Sequence, residues 1–149
     1  MEQTKEKRSK SVKISKRHRA YFKAAEAASE LSNYERYSLG CIAVYRHTII
    51  SSGYNSHRTH PLQKKLNIHR FPEDTKHKLH AEVACLLPLI GRKDINFNEV
   101  SLYIFRRHKN GDLALARPCK SCMHLIKELG IRNIYFSNEG GYSHEHILY

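Results

Sequence analysis

The chain has no tryptophan, four cysteines in 149 residues, and 14 acidic residues against 26 Lys and Arg. Four cysteines are too few to suggest a disulfide framework. The longest apolar runs fall far short of the ~18 residues of a membrane span. The N-terminus, MEQTKEKRSKSVKISKRHR, is basic but has no apolar core, so no secretory signal is expected. These absences together set the expectation of a cytoplasmic protein with no membrane partner. No internal repeat is present, and nothing beyond the N-terminal stretch is of low complexity. With 40% hydrophobic and 27% charged residues, the chain as a whole is not disordered. Its length suits one domain of ordinary size.

The shortage of acids leaves a formal net charge of +12. The excess is uneven: residues 1–23 hold nine Lys and Arg against two acids, and residues 57–80 hold six against two. The second block also carries His57, His60, His69, His77 and His80. Two separate basic blocks point to a polyanionic partner. The bland alternatives are a solvated tail and a polar surface loop. Residues 1–17 are expected to form a basic, disordered tail and residues 18–149 a single domain.

Residues 18–32 are rich in Ala and Glu, lack Gly and Pro, and place apolar residues at helical spacing, which predicts an amphipathic helix. The apolar runs 39–45 and 48–53 flank Arg46-His47 and predict a β-hairpin. Residues 54–78 read as a long loop with a short helix near 61–67. A buried helix is expected over 79–91, interrupted by Pro88 and closed by Gly91. A strand follows at 100–107. Asn110-Gly111 predicts a hairpin turn that lets 112–116 pair back. A second buried helix spans 119–129, between Pro118 and Gly130, and a last strand spans 131–137. The order implies a mixed sheet with helices packed on it.

Four residues carry the chemistry: His80, Glu82, Cys119 and Cys122. A Cys-x-x-Cys at a helix start puts both sulfurs near one face, where the helix N-terminus favours thiolates. Two thiolates and one imidazole make three zinc ligands, which leaves a fourth position open for water. Glu82 is then a proton carrier rather than a ligand. The alternatives are a structural finger, with Cys119 and Cys122 joined by His144 and His146, and a redox Cys-x-x-Cys. The finger leaves Glu82 idle and spaces its histidines too tightly. Cys41 and Cys85 lie in apolar segments and read as core thiols.

His80-Ala81-Glu82 followed by Pro118-Cys119-Lys120-Ser121-Cys122 matches the signature of zinc nucleobase deaminases. Over residues 20–137 the sequence resembles the cytidine and deoxycytidylate deaminase superfamily. Thr59-His60-Pro61 and Ala116-Arg117-Pro118-Cys119 look most similar to compact phage and bacterial deaminases. The resemblance implies an α/β, cytidine-deaminase-like three-layer fold, a central mixed β-sheet flanked by helices. The C-terminus here is short, so a further strand and helix would be reduced or absent. An insertion, Arg106 to Asp112, forms a hairpin rim.

The resemblance also implies one catalytic Zn2+ held by His80, Cys119 and Cys122. Glu82 would move protons during hydrolytic loss of an exocyclic amine, from C4 of cytosine or C6 of adenine. Gly53-Tyr54-Asn55 looks like the segment of deoxycytidylate deaminases whose Asn contacts the sugar, which makes Asn55 a substrate-binding candidate. The backbone beside Ala81 would line the base pocket. The expected function is a zinc-dependent cytosine deaminase acting on single-stranded nucleic acid. A free-nucleotide deoxycytidylate deaminase and a non-catalytic zinc-stabilised nucleic-acid-binding module stand as alternatives. The expected partner is single-stranded nucleic acid or a cytosine nucleotide, with a homo-oligomer left open. Tyr45, Tyr54, Phe71, Tyr142 and Tyr149 are candidates for base stacking.

Overall fold

A computed structural model of the chain describes residues 10–11, 15–69 and 78–147. In chain order the elements are β1 (Lys10–Ser11), α1 (Lys16–Ser29), β2 (Tyr37–Tyr45), β3 (Thr48–Tyr54), α2 (Pro61–Leu66), α3 (Ala81–Leu86), β4 (Val100–His108), β5 (Leu113–Ala114), α4 (Lys120–Leu129), β6 (Asn133–Asn138) and β7 (Gly141–His146). One mixed sheet runs in the order β1-β7-β6-β4-β2-β3, with β5 paired to the end of β4. Among the described residues only β4 and β6 pair in parallel, and α4 makes the crossover between them. Every other pairing is antiparallel.

Period-two alternation along the central strands builds a core on each face of the sheet. Cys41 and Ala43 of β2, Leu102 and Ile104 of β4, and Ile134 and Phe136 of β6 pack on one side, against residues of α2, α3 and α4. Ile42, Val44, Tyr103 and Phe105 point the other way, onto Tyr21, Phe22 and Ala25 of α1. The result is three layers, helix on sheet on helices. Ser15 caps α1 by accepting from the His18 amide, and alanines let the helix sit close to the sheet. Gly40 is required by that approach, because a Cβ there would meet Ala25 O and the Ser29 amide.

Gly53 plays the same part on the opposite face. A Cβ there would strike the Cys85 amide and the carbonyl of Ala81, so β3 can carry no side chain where α3 passes. Gly53→Ala should push α3 outward. We expect a loss of about 1–3 kcal/mol, read by urea unfolding, the usual cost of forcing extra atoms into a packed interior.

The structure departs from the sequence expectations in several places. The helix expected over 79–91 is shorter, because α3 starts at Ala81 and tightens into a 3-10 turn at Leu87–Leu89 around Pro88. Lys78 and Leu79 are instead extended, paired with Thr59 and with the Arg58 carbonyl. The Asn110-Gly111 hairpin forms, but only Leu113–Ala114 pair back. The C-terminal strand is present, with Gly141–His146 folding back along β6. Its polar sequence hid it. Most of the tail expected over 1–17 lies outside the described residues, as do Phe71, His77 and Tyr149. Within it, Lys10–Ser11 pair with β7, and α1 already starts at Lys16. Among the described residues no helix is long and apolar enough to cross a membrane.

Candidate metal centre and active-site pocket

The backbone of His80 is extended, and the residue sits at the N-cap of α3. Cys119 holds the same position on α4, with Cys122 in the first turn. Pro118 precedes Cys119, so the chain arrives extended and turns helical at once. These two helix entrances bring His80 Nδ1 to 3.5 Å from Cys119 Sγ and 3.4 Å from Cys122 Sγ. All three ligand atoms lie within 4.8 Å of one another. A tetrahedral zinc, with Zn–S near 2.3 Å and Zn–N near 2.1 Å, sets neighbouring N and S about 3.6 Å apart. The residues therefore fit zinc in both chemistry and spacing.

The electrostatics suit a metal cation. The Cys122 thiol donates to Cys119 and, with His80 beside it, pulls the Cys119 pKa down to about 3. Cys122 is driven up in return, because it keeps the shared proton and is fully buried.

Glu82 is only 3% exposed, and its Oε1 has no hydrogen-bond partner among the described residues. Burial raises its carboxyl pKa above the ordinary 4.5, an effect that His80 partly opposes. A buried carboxylate with an unpaired oxygen is costly unless a ligand or water completes it. Glu82 and His80 face a pocket of about 100 Å³ that Asn55, Ala81, Arg106 and Arg117 also line.

Asn55 reaches this pocket while latching two strands together. Its Oδ1 accepts from the Leu39 amide at 2.9 Å, and its Nδ2 donates to the Tyr37 carbonyl at 3.1 Å. Ala81 is fully buried, its small side chain leaving room beside Glu82. His144 and His146 lie apart from the cysteines, both against Asn133 Oδ1, at 2.9 and 3.1 Å. The finger alternative is thereby set aside. Cys41 and Cys85 are fully buried core thiols.

Sequence reasoning missed the polar network behind the metal ligands. The His80 amide donates to Gln63 Oε1 at 3.0 Å, and Gln63 Nε2 donates to Asn67 Oδ1 at 2.8 Å. Ser121, between the two cysteines, donates to the same Asn67 oxygen at 3.2 Å. All three side chains are buried. Long-range contacts of this kind leave no periodic trace in a sequence. Gln63→Ala should lower zinc affinity about 10–100-fold, the usual cost of losing an outer-shell support. Gln63→Glu, which keeps the acceptor, should restore part of it. Competition with a chromophoric chelator reads both.

Arg106 and Arg117 were legible only as members of the rim insertion and of the Ala116-Arg117-Pro118-Cys119 run. Arg106 stacks 4.2 Å over the Tyr37 ring, with its Nε buried and, among the described residues, without a hydrogen-bond partner. Arg117 forms a two-point pair with Glu145 at 2.9 Å.

The model of the cytidine and deoxycytidylate deaminase zinc-binding region matches residues 15–138. The chain belongs to this family. It is a hydrolytic deaminase by kinship, and His80, Cys119 and Cys122 are positioned to hold its one zinc ion. The apo dCMP deaminase of cyanophage S-TIM5 is 25% identical, with TM-score 0.55 over 79% of each chain. The same phage enzyme in complex with dCMP and dUMP aligns at 21% identity and TM-score 0.57, over 84% of this chain and 83% of that one. Cytidine deaminase from Burkholderia pseudomallei shares the fold at 17% identity and TM-score 0.59, over 87% and 91%. No curated protein sequence matches the chain significantly.

Proposed function

We propose that the protein converts cytosine to uracil in single-stranded nucleic acid, consuming water and releasing ammonia. The observation that carries the chemistry is the unpaired, buried Oε1 of Glu82 beside three zinc-competent ligands. Zinc, when bound, supplies a Lewis acid that makes water acidic enough to attack near neutral pH. Glu82 accepts one proton of that water and gives it to the ring nitrogen N3. It then takes the second from the hydroxyl added at C4 and passes it to the amine, so that the C4–N bond breaks, the carbonyl forms and ammonia leaves. A carboxyl raised by burial is suited to both taking and returning a proton. The small pocket holds the base, Ala81 flanks it, and Asn55 offers its amide to the sugar. Arg106, stacked over Tyr37 in the pocket lining, brings a cationic group near a phosphate or carbonyl oxygen of the substrate.

The polymer rather than the monomer is proposed because of the +12 charge, concentrated at residues 1–23 and 57–80. One phosphate needs one or two cations, whereas a strand rewards many through counterion release. An unpaired strand also spares the cost of extracting the base from a duplex. A second reading, deamination of free dCMP, is favoured by the resemblance to the S-TIM5 enzyme. Incubation with dCMP, CMP, single-stranded DNA, single-stranded RNA and tRNA, with uracil and inosine scored by mass, separates the two. Rapid turnover of dCMP with silence on every strand would overturn the polymer reading.

A further inference from the structure

A second, larger cleft lies on the α1 face of the sheet, about 710 Å³ in volume, within the ~300–1,000 Å³ span of ligand-holding sites. The zinc pocket opens at Tyr37, Leu39 and Arg106, whereas this cleft opens at Val44, Arg46 and Ser101. The two therefore sit on opposite faces and toward opposite ends of β2 and β4. Leu39 and Val44 are about 17 Å apart along the strand.

The cleft has a cationic wall and an aromatic floor. Lys16 and Arg17 come from α1, and Arg46 from the turn between β2 and β3. The single acid in the lining, Glu99, is already met by Arg46 at 3.2 Å. Among the described residues Lys16 and Arg17 form no ion pair. The chain enters this wall directly from its most basic stretch. β1 runs along β7, and α1 starts five residues after Ser11, at Lys16.

The floor is Tyr103 and Tyr135, stacked at 4.6 Å and opposite each other in register. His144 continues the stack at 4.4 Å on β7. His18 leans on Tyr135 from the wall, with Nδ1 2.7 Å from the Tyr103 hydroxyl. α1 packs mainly on β2, β3 and β4, with His18 and Phe22 reaching over to Tyr135 and Tyr142, and Tyr135 and His144 stay half-buried at this margin.

We propose that this cleft docks single-stranded nucleic acid outside the catalytic pocket, with phosphates on the Lys16, Arg17 and Arg46 wall and unpaired bases against the Tyr135 and His144 edge. Charge complementarity selects a polyanion, and the aromatic floor selects one with exposed bases over a duplex or an acidic peptide. The inference rests on the proposed polymer substrate only for its choice of strand.

The test is fluorescence anisotropy of a labelled 15-nucleotide oligo-dT, with oligo-U, duplex DNA and poly-glutamate as parallel arms, on the zinc-loaded full chain across a salt series. Lys16→Glu combined with Arg17→Glu should weaken oligonucleotide binding at least ~10-fold. It should flatten the log–log salt slope by about 1.4, the change for two lost phosphate contacts. Turnover of any accepted mononucleotide should not change. If charge reversal impairs folding by circular dichroism, Lys16→Gln with Arg17→Gln gives the same readout with a smaller perturbation. Unchanged affinity and slope in the folded variant would overturn the proposal, as would equal binding of duplex or poly-glutamate. The two readings fail separately. Turnover of dCMP alone, with oligonucleotide binding that still depends on Lys16 and Arg17, defeats the polymer substrate and upholds the cleft. Turnover of strands with binding indifferent to both residues defeats the cleft alone.

Discussion

Glu82→Gln should retain one zinc per chain and the native fold while turnover on the best substrate falls about 10⁴-fold or more. General acid–base catalysis by one group contributes ~10²–10⁴-fold, and here one carboxyl is assigned every proton movement. Glutamine keeps the volume and the hydrogen-bonding outline but can take up no proton. Zinc should stay, because the ligand cluster is His80, Cys119 and Cys122 without Glu82. The same variant carries a stability signature in metal-free protein. Burial raises the Glu82 pKa above 4.5, so between that value and neutrality the unfolded chain gives up its proton first. The folded state therefore loses stability as pH rises through this window. Metal-free Glu82→Gln should be the more stable protein at pH 7 to 8, and the difference should close below about pH 4. Near-normal turnover, or identical pH dependence of unfolding, would remove Glu82 from its assigned role.

Cys119→Ala together with Cys122→Ala should leave the protein with no stoichiometric zinc and no measurable deamination. One imidazole cannot replace a three-ligand set, and soft thiolates dominate the affinity. Elemental analysis after gel filtration reads the metal, and ammonia release reads the reaction. The zinc-free double variant should also differ from wild type in thermal unfolding only when zinc is supplied. Bound metal stabilises only a folded state that can hold it. Full zinc retention in this variant would overturn the assigned centre.

The centre was legible because its chemistry is written locally. His80-Ala81-Glu82 and Cys119-Lys120-Ser121-Cys122 each open a helix, and short-range spacing already fixes which side chains share a direction. The central strands were legible from their apolar runs, and the two-residue turn from its position. Arg46 and His47 both take positive φ, at 47° and 68°, the geometry that two-residue hairpins demand even without glycine. Gln63, Asn67 and Ser121 were not legible. Polar residues in a helix read as surface until the fold shows them buried against one another. Strand β7 was hidden for the related reason that Tyr-Ser-His-Glu-His carries no apolar alternation strong enough to announce a sheet. Gly53 was noticed for its place beside Asn55, yet its physical reason is the passage of α3 over β3.

The pairing of Lys10–Ser11 with Ser143 and His144 brings the two ends of the chain together at one margin of the sheet. Without it β7 would present a row of open amides and carbonyls, the kind of margin along which separate molecules zip together. A strand of two residues is a good guard for such a margin, since it satisfies part of the row and is too short to template further pairing. Removing residues 1–14 would therefore do more than subtract positive charge. It would uncover a self-adhesive border, and the shortened protein should show concentration-dependent self-association by sedimentation at low salt. Charge substitutions that keep this segment in place are thus the cleaner way to ask what the basic N-terminal region binds.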